Sequence, residues 1–249
     1  MNVKNHKPIL TFPYKGKEYF NLVSQCHNTL VSSKKTAFTL AEVLITLSII
    51  GVVAALTMPT LIHKHKAKVL RTYFLQANTI LADVTSRAKL DDTDLKEVIY
   101  TRDYTRLYKY FKTGNCTTPK DAEEAKYKDY SGKYYATGAA ATKLYHPYCL
   151  SNGAILWLAT VNYNKNTAIA IDIDGWGKGP QKYGKDVFFW FYNEDKEIFE
   201  ALNDEILEKF TGRTEFFVGC PTKVDSCENG IGCTPHALSD PKYFEKLKF

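Results

Sequence analysis

The chain has 249 residues, is 45% hydrophobic and carries a formal charge of +6, which excludes a disordered protein and allows one substantial core plus extras. Residues 1–37 hold Lys4, Lys7, Lys15, Lys17, Lys34 and Lys35 against Glu18, a net of +5 that leaves +1 for residues 38–249. This excludes a broad basic face on the folded part, so nucleic acid is not an expected partner.

In chain order, residues 1–37 form a basic, poorly patterned leader; "KPILTFPYKGKEYF" is too short and too broken by Pro8, Pro13 and Gly16 to make a core element. It reads either as a disordered cytoplasmic tail or as sequence ahead of a start at Val31, which would leave "VSSKKTA" as a compact leader. Phe38–Met58 follows, 21 residues with Glu42 as the only charge, and a bilayer core needs about 20 apolar residues as helix. Nothing later is comparable, so the chain is expected to meet the membrane once, with the preceding lysines on the cytoplasmic side. A secretory signal peptide would be cut near Val53-Ala54-Ala55; a plain anchor would stay uncut. Neither explains Glu42, since an uncompensated carboxylate in the membrane costs about 2.5–3.5 kcal/mol on insertion scales. A buried charge that persists needs a partner.

After Pro59, Leu70, Phe74, Ala77, Leu81, Val84 and Ala88 recur at spacings of three and four. One helix is predicted from about Thr39 to about Lys89, apolar all round in its first half and one-sided in its second. Pro59 should kink or locally open it. "LKEVIYTRDYTRLYKYF" predicts a second, tyrosine-rich helix, and residues 113–147 read as loop. Three strands, 154–161, 167–173 and 186–192, then suggest an antiparallel meander. Ile169, Ile171 and Ile173 share one face, expected to lie on the amphipathic helix. "EIFEALNDEILEKFTG" predicts a further helix ending at Gly212, before a tail with three cysteines.

"KKTAFTLAEVLITLSIIGVVAALTMP" resembles the N-terminal cleavage and methylation segment of type IV prepilins and type II secretion pseudopilins. The resemblance implies cleavage between Ala37 and Phe38 by a membrane prepilin peptidase and N-methylation of Phe38 by the same enzyme. It makes Glu42 the family's glutamate and places Gly51 and Pro59 where pilins commonly carry a glycine and a proline that let the helix melt during assembly. Glu42 would then pair with the amino terminus of a neighbouring subunit's Phe38, neutralising two charges inside an apolar bundle. Two departures stand out: Ala37 occupies a position where glycine is usual, and a leader of 37 residues is long, which the Val31 start would shorten. "AIAIDIDGWGKGPQKYGKDVFFWFY" is similar to the strand, turn and strand near the middle of many pseudopilin-like proteins.

Asp172, Asp174 and Asp186 can converge at that turn, and with loop carbonyls they would offer oxygen ligands for calcium, which some major pseudopilins hold in a C-terminal loop. The spacing fails the EF-hand template, and the preferred reading has these acids capping the turn and facing solvent, with no cofactor. Beyond Cys26 in the leader, Cys116, Cys149, Cys220, Cys227 and Cys233 are disulfide candidates in an exported domain, one of them left over. The preferred pairing is Cys116 with Cys149 and one bridge within "CPTKVDSCENGIGC". Spacing there misses the C-x-x-C of structural zinc sites. His63 and His65 are expected to be solvated or headgroup-facing, and no serine elbow, phosphate loop or catalytic set is found, so an enzyme is not expected.

The reading is an α+β, pilin-like chain: a leader, 1–37; a long helix, 38–90, with 38–58 in the membrane; and an exported domain, 91–249, with a small antiparallel sheet on the helix and disulfide-bearing loops. The expected work is that of a type II secretion pseudopilin, polymerising with itself or other pilin-like subunits on an inner-membrane assembly platform. The alternatives are a minor pilin, a DNA-uptake pseudopilin, or a membrane-anchored binding domain or enzyme.

Overall fold

The structure, a computed structural model, describes residues 38–101, 103–120, 122–133, 142–161, 167–179, 181–202, 206, 220 and 230–248. The chain divides into two units, Met1–Ile49 and Ile50–Phe249. The described part of the first is the capped opening of helix α1, Leu40–Leu90; the second holds the rest of α1 and the globular part.

The helix forms where the apolar run and the amphipathic stripe abut, with Thr39 ahead of it and Arg87 and Lys89 in its last turn, where cations suit the negative helix end. It continues unbroken through Pro59, so the predicted opening there is not seen. Proline still removes one donor, and the carbonyl of Ala55 loses the amide that would otherwise bond it. The apolar run is exposed, whereas from Ala67 onward one face is buried: Ala67, Leu70, Phe74, Ala77, Leu81, Val84 and Ala88.

The tyrosine-rich segment divides into α2, Leu95–Thr101, and α3, Tyr104–Tyr108. Asp103 causes the break: its side chain accepts from the amide of Arg106 at 3.3 Å and starts a new helix, as an N-cap does. A single turn, α4, spans Ala122–Ala125.

Five strands follow in an antiparallel meander: β1 Thr142–Cys149, β2 Ile155–Val161, β3 Thr167–Asp172, β4 Val187–Asn193 and β5 Ile198–Ala201. Two of these correct the sequence reading. Residues 142–147, read as loop, belong to β1, whose register shifts between Tyr145 and Tyr148. Pro147 lies in that shift, where its missing donor is tolerated. Residues 198–201, read as the start of a helix, are β5. The Asn193 side chain accepts from the amides of Asp195 and Lys196 at 3.0 and 3.1 Å, turning the chain back so that Phe199 pairs with Tyr192. The remainder of that predicted helix, to Gly212, lies almost wholly outside the described residues.

Period-2 alternation gives the sheet two buried faces. Leu156, Leu158, Ile169, Ile171, Phe188 and Trp190 meet the α1 stripe, and Ile173 joins them. Trp157, Ala168, Ala170 and Phe189 point the other way, under Tyr127, Tyr183, Leu202 and Ile231. Phe74 sits at the centre of the first layer, its ring centroid 4.7 Å from Phe188, 5.8 Å from Trp190 and 5.6 Å from Phe244. The indole of Trp190 donates to Asn78 Oδ1 at 3.2 Å, a polar tie from sheet to helix. The end of the chain closes this layer with a short helix, α5, Thr234–Ser239, and a 3-10 turn, Phe244–Lys246. The result is an α+β, pilin-like fold.

Phe74→Ala is expected to destabilise this unit by about 3–5 kcal/mol, because the surrounding rings cannot collapse into the hole. Leu75→Ala, on the exposed side of the same helix, should change stability by less than about 0.5 kcal/mol. Chemical unfolding of the full chain in mild detergent compares the two; equal effects would contradict this packing.

Candidate functional site

The head of α1 carries the chemistry that the apolar run leaves unexplained. The amide and hydroxyl of Thr39 donate to Glu42 Oε2 at 2.8 and 2.9 Å, and the amide of Glu42 donates back to Thr39 Oγ1 at 3.2 Å. This is a reciprocal capping box, which satisfies two amides that the first turn of a helix leaves without carbonyl partners. The signal was present in the sequence as Thr-x-x-Glu ahead of an apolar run, and reading Glu42 only as an intermolecular partner missed it. Both contacts fall on one oxygen, and among the described residues no cation pairs with Glu42. The box therefore fixes the carboxylate in place while leaving its charge unneutralised.

The other polar groups of the run close on their own helix. Thr46, Ser48 and Thr57 hydroxyls donate to the carbonyls of Val43, Leu44 and Val53 at 2.9, 2.7 and 2.9 Å. That is the arrangement a lipid-facing helix needs, since hydrocarbon offers no partners. Phe38 is 85% exposed, and a Cβ placed on Gly51 would meet nothing within 4 Å. Among the described residues no packing demands glycine there. Ala37 lies outside the described residues.

A second cluster lies in the turn between β3 and β4. Asp172 and Asp186 are fully buried, which corrects the expectation that these acids face solvent. They do cap the turn. Asp172 accepts from the Tyr127 hydroxyl at 2.9 Å and the amide of Gly175 at 3.0 Å; Asp186 accepts from the amides of Gln181 and Lys182 at 2.7 and 2.6 Å. Tyr127 in turn accepts from the Trp157 indole at 3.0 Å, which ties the turn to β2, a role no sequence signal announced. Gly179 faces the acids so closely that a Cβ there would lie 2.2 Å from Asp186 Oδ2 and 2.9 Å from Asp174 Oδ2. Burial, then the charges of Asp186 and Asp174, holds Asp172 well above the usual carboxylate range. Burial and the Asp174 charge push Asp186 up to about 7, and burial raises Asp174 as well. Among the described residues no group of three His, Cys, Asp or Glu side chains is arranged to hold a metal ion. The two deepest carboxylates direct their oxygens at backbone amides and Tyr127.

Among the described residues there are two disulfides. Cys116 joins Cys149, and Cys220 joins Cys233, with Cα atoms 6.0 and 4.6 Å apart. Cys26 and Cys227 lie outside the described residues. The first bridge spans a sequence separation of 33, for which loop-closure entropy gives about 3–4 kcal/mol. The expected face for His63 also needs correction, because its Nε2 lies 2.7 Å from the carbonyl of Leu247. A groove of about 560 Å³ runs along the outer side of α1 beside Leu150–Asn152; its acid, Asp83, is paired with Arg87 at 2.6 Å.

Residues 32–58 match the family model described as the prokaryotic N-terminal methylation motif. The chain therefore carries the prepilin-type cleavage and methylation signal. The match covers Ala37, Phe38, Glu42 and Gly51 and ends one residue before Pro59. No curated protein and no solved structure matches the chain.

The acidic turn sets a pH dependence. Carboxyls whose folded pKa is raised bind more protons in the native state between about pH 4 and pH 7, so their contribution is complete in acid and is lost as pH rises through about 7. Each such proton contributes about 1.4 kcal/mol per pH unit within that window. The melting point of the full chain in detergent should be higher at pH 5 than at pH 8. Asp174→Asn should flatten the difference, and added calcium should leave it unchanged. A melting point that rises with pH, or with calcium, would overturn this account of the turn.

Proposed function

We propose that this chain, which carries the prepilin-type signal at residues 32–58, is a pseudopilin-like structural subunit of a type II secretion pseudopilus. The observation that carries the reading is the combination of that motif with an exposed apolar run, residues 38–58, whose sole charge, Glu42, is held at the head of the helix. The motif supports a pilin-like subunit in general. The similarity of the strand, turn and strand at residues 168–192 to that of pseudopilin-like proteins supports the same assignment for the globular half, without separating a pseudopilus from a pilus.

In this reading residues 1–37 remain in the cytoplasm until prepilin peptidase cuts between Ala37 and Phe38 and methylates the new amino terminus. Residues 38–58 cross the inner membrane, and the domain from residue 91 onward is exported, which suits its two disulfides. On an inner-membrane platform the subunit joins copies of itself or other pilin-like subunits, and the growing fibre moves folded cargo outward. Glu42 changes partner at that step. Before assembly it serves Thr39 of its own chain; in the fibre it meets the charged amino terminus of a neighbouring Phe38, and two charges that are costly in hydrocarbon neutralise each other.

Mass spectrometry of the N-terminal peptide from the native host is expected to find N-methylated Phe38. An uncut terminus, or one near Leu56, would overturn the assignment. Glu42→Gln separates the two roles of the carboxylate, since the amide oxygen keeps the cap and removes the charge. The variant should be processed normally yet fall at least about tenfold in the sheared-fibre fraction, a loss of about 1.4 kcal/mol or more per contact. Normal assembly of Glu42→Gln would reduce Glu42 to a helix cap.

A further inference from the structure

The helix leaves the apolar run through a basic segment, "HKHKAK", residues 63–68, followed by Arg71. Cations concentrate on the cytoplasmic side of membrane segments, yet in the proposed orientation these stand on the exported side. Their number there calls for a counter-charge, and the fold adds to them. The C-terminal segment is fastened to the same stretch of α1: Arg71 Nη1 donates to the carbonyls of Asp240 and Pro241 at 3.3 and 2.9 Å, and His63 holds the carbonyl of Leu247 at 2.7 Å. Buried Lys185 donates to the carbonyl of Lys248 at 3.3 Å, and Phe244 is driven into the core against Phe74. Residues more than 170 apart in sequence thus place Lys242 and Lys248 level with Lys64 and Lys68.

These four side chains are exposed, and among the described residues none of them forms an ion pair. The nearby acids are Asp240, already paired with Lys246 at 2.6 Å, and exposed Glu245. Lys66 differs, since its charge acts on Asp174 in the acidic turn. Just before the cluster, Leu56, Met58, Leu61 and Ile62 are exposed and apolar, so the change from greasy to cationic surface takes two residues, Ile62 to Lys64. That is the order of layers in one bilayer leaflet, acyl chains and then phosphates, and lysine stems are long enough to reach from one into the other.

We propose that Lys64, Lys68, Lys242 and Lys248 form a docking surface for anionic phospholipid headgroups of the leaflet from which α1 emerges. The inference rests on the membrane-anchored reading. The surface holds the globular part against the membrane before assembly and is vacated when the subunit enters a fibre. Each lysine near an anionic lipid surface strengthens association by about fivefold, and salt weakens it.

The test uses the purified full chain in detergent, titrated with phosphatidylglycerol or phosphatidylcholine and followed by native mass spectrometry. Wild-type chain should prefer phosphatidylglycerol by at least about tenfold, as at least two such lysines would give. Combined Lys64→Gln, Lys68→Gln, Lys242→Gln and Lys248→Gln should bring the two lipids level, and Glu245→Gln should raise the preference. Equal binding by the wild type would overturn the proposal. So would displacement of phosphatidylglycerol by inorganic phosphate, which would make this a site for free anions. A fourfold variant that keeps its lipid preference but fails to enter fibres would assign the surface to a neighbouring subunit instead. Alkaline extraction from phosphatidylcholine vesicles distinguishes the two levels of failure: a chain that resists extraction keeps the membrane reading even if the headgroup preference is absent.

Discussion

One unbroken helix must satisfy two solvents. From Leu40 to about Ile62 its side chains are exposed and almost all apolar, and its hydroxyls bond back to their own helix. From Ala67 onward only one stripe is apolar, and that stripe is buried by a sheet. The hydrogen-bond ladder is indifferent to the change, because an α-helix satisfies its backbone equally in water and in hydrocarbon. The rest of the described fold is arranged around that junction. The sheet exists to cover the stripe, and the C-terminal segment is clipped where the stripe begins. Basic residues mark the crossing point.

Covering the stripe creates a second problem. A strand alternates its side chains, so a sheet that offers Ile169, Ile171, Phe188 and Trp190 to the helix turns Ala170, Trp157 and Phe189 the other way. With both faces apolar, a second cover is needed, and it is built from loop residues such as Tyr127 and Tyr183 and from the chain around Ile231. Loops bring unpaired amides into the interior. The buried acids answer this: Asp172 takes the amide of Gly175, and Asp186 takes those of Gln181 and Lys182. Three neighbouring carboxyls share that interior, and burial raises the pKa of each, which favours its neutral form.

How much of this was legible depended on whether the signal was local. The α1 stripe, the meander and the isoleucine face of β3 are periodicities, and they read directly from spacing. The strand β1 was hidden because Pro147 marks a loop in isolation, and only pairing with β2 shows it to be a tolerated irregularity. Residues 198–201 have helix-compatible composition, and the Asn193 turn that returns them to β4 is a tertiary outcome. The burial of Asp172 and Asp186 was unreadable for a related reason. Acids beside four glycines and a proline look like a solvated turn until Tyr127, more than forty residues earlier, is seen to close over them. At the head of α1 the failure was of another kind: Thr39 and Glu42 announced their cap openly, and the more dramatic role of the glutamate obscured it.

That cap bears on why a carboxylate is tolerated at the head of a membrane helix. A charge with no assigned place would be drawn toward water and would pull the helix head with it. Held by the amide and hydroxyl of Thr39, Glu42 has a defined position and part of its hydrogen-bonding capacity met, which lowers the penalty of waiting in the membrane. Its charge is still unanswered, so in the proposed fibre a neighbour's amino terminus would have something to gain that water does not already supply. A hydrophobic residue at this position would insert more easily and would give an incoming subunit no axial register. In the proposed assembly the capped carboxylate is thus stable enough to persist and incomplete enough to select a partner, and both properties come from the same four residues, Thr39 to Glu42.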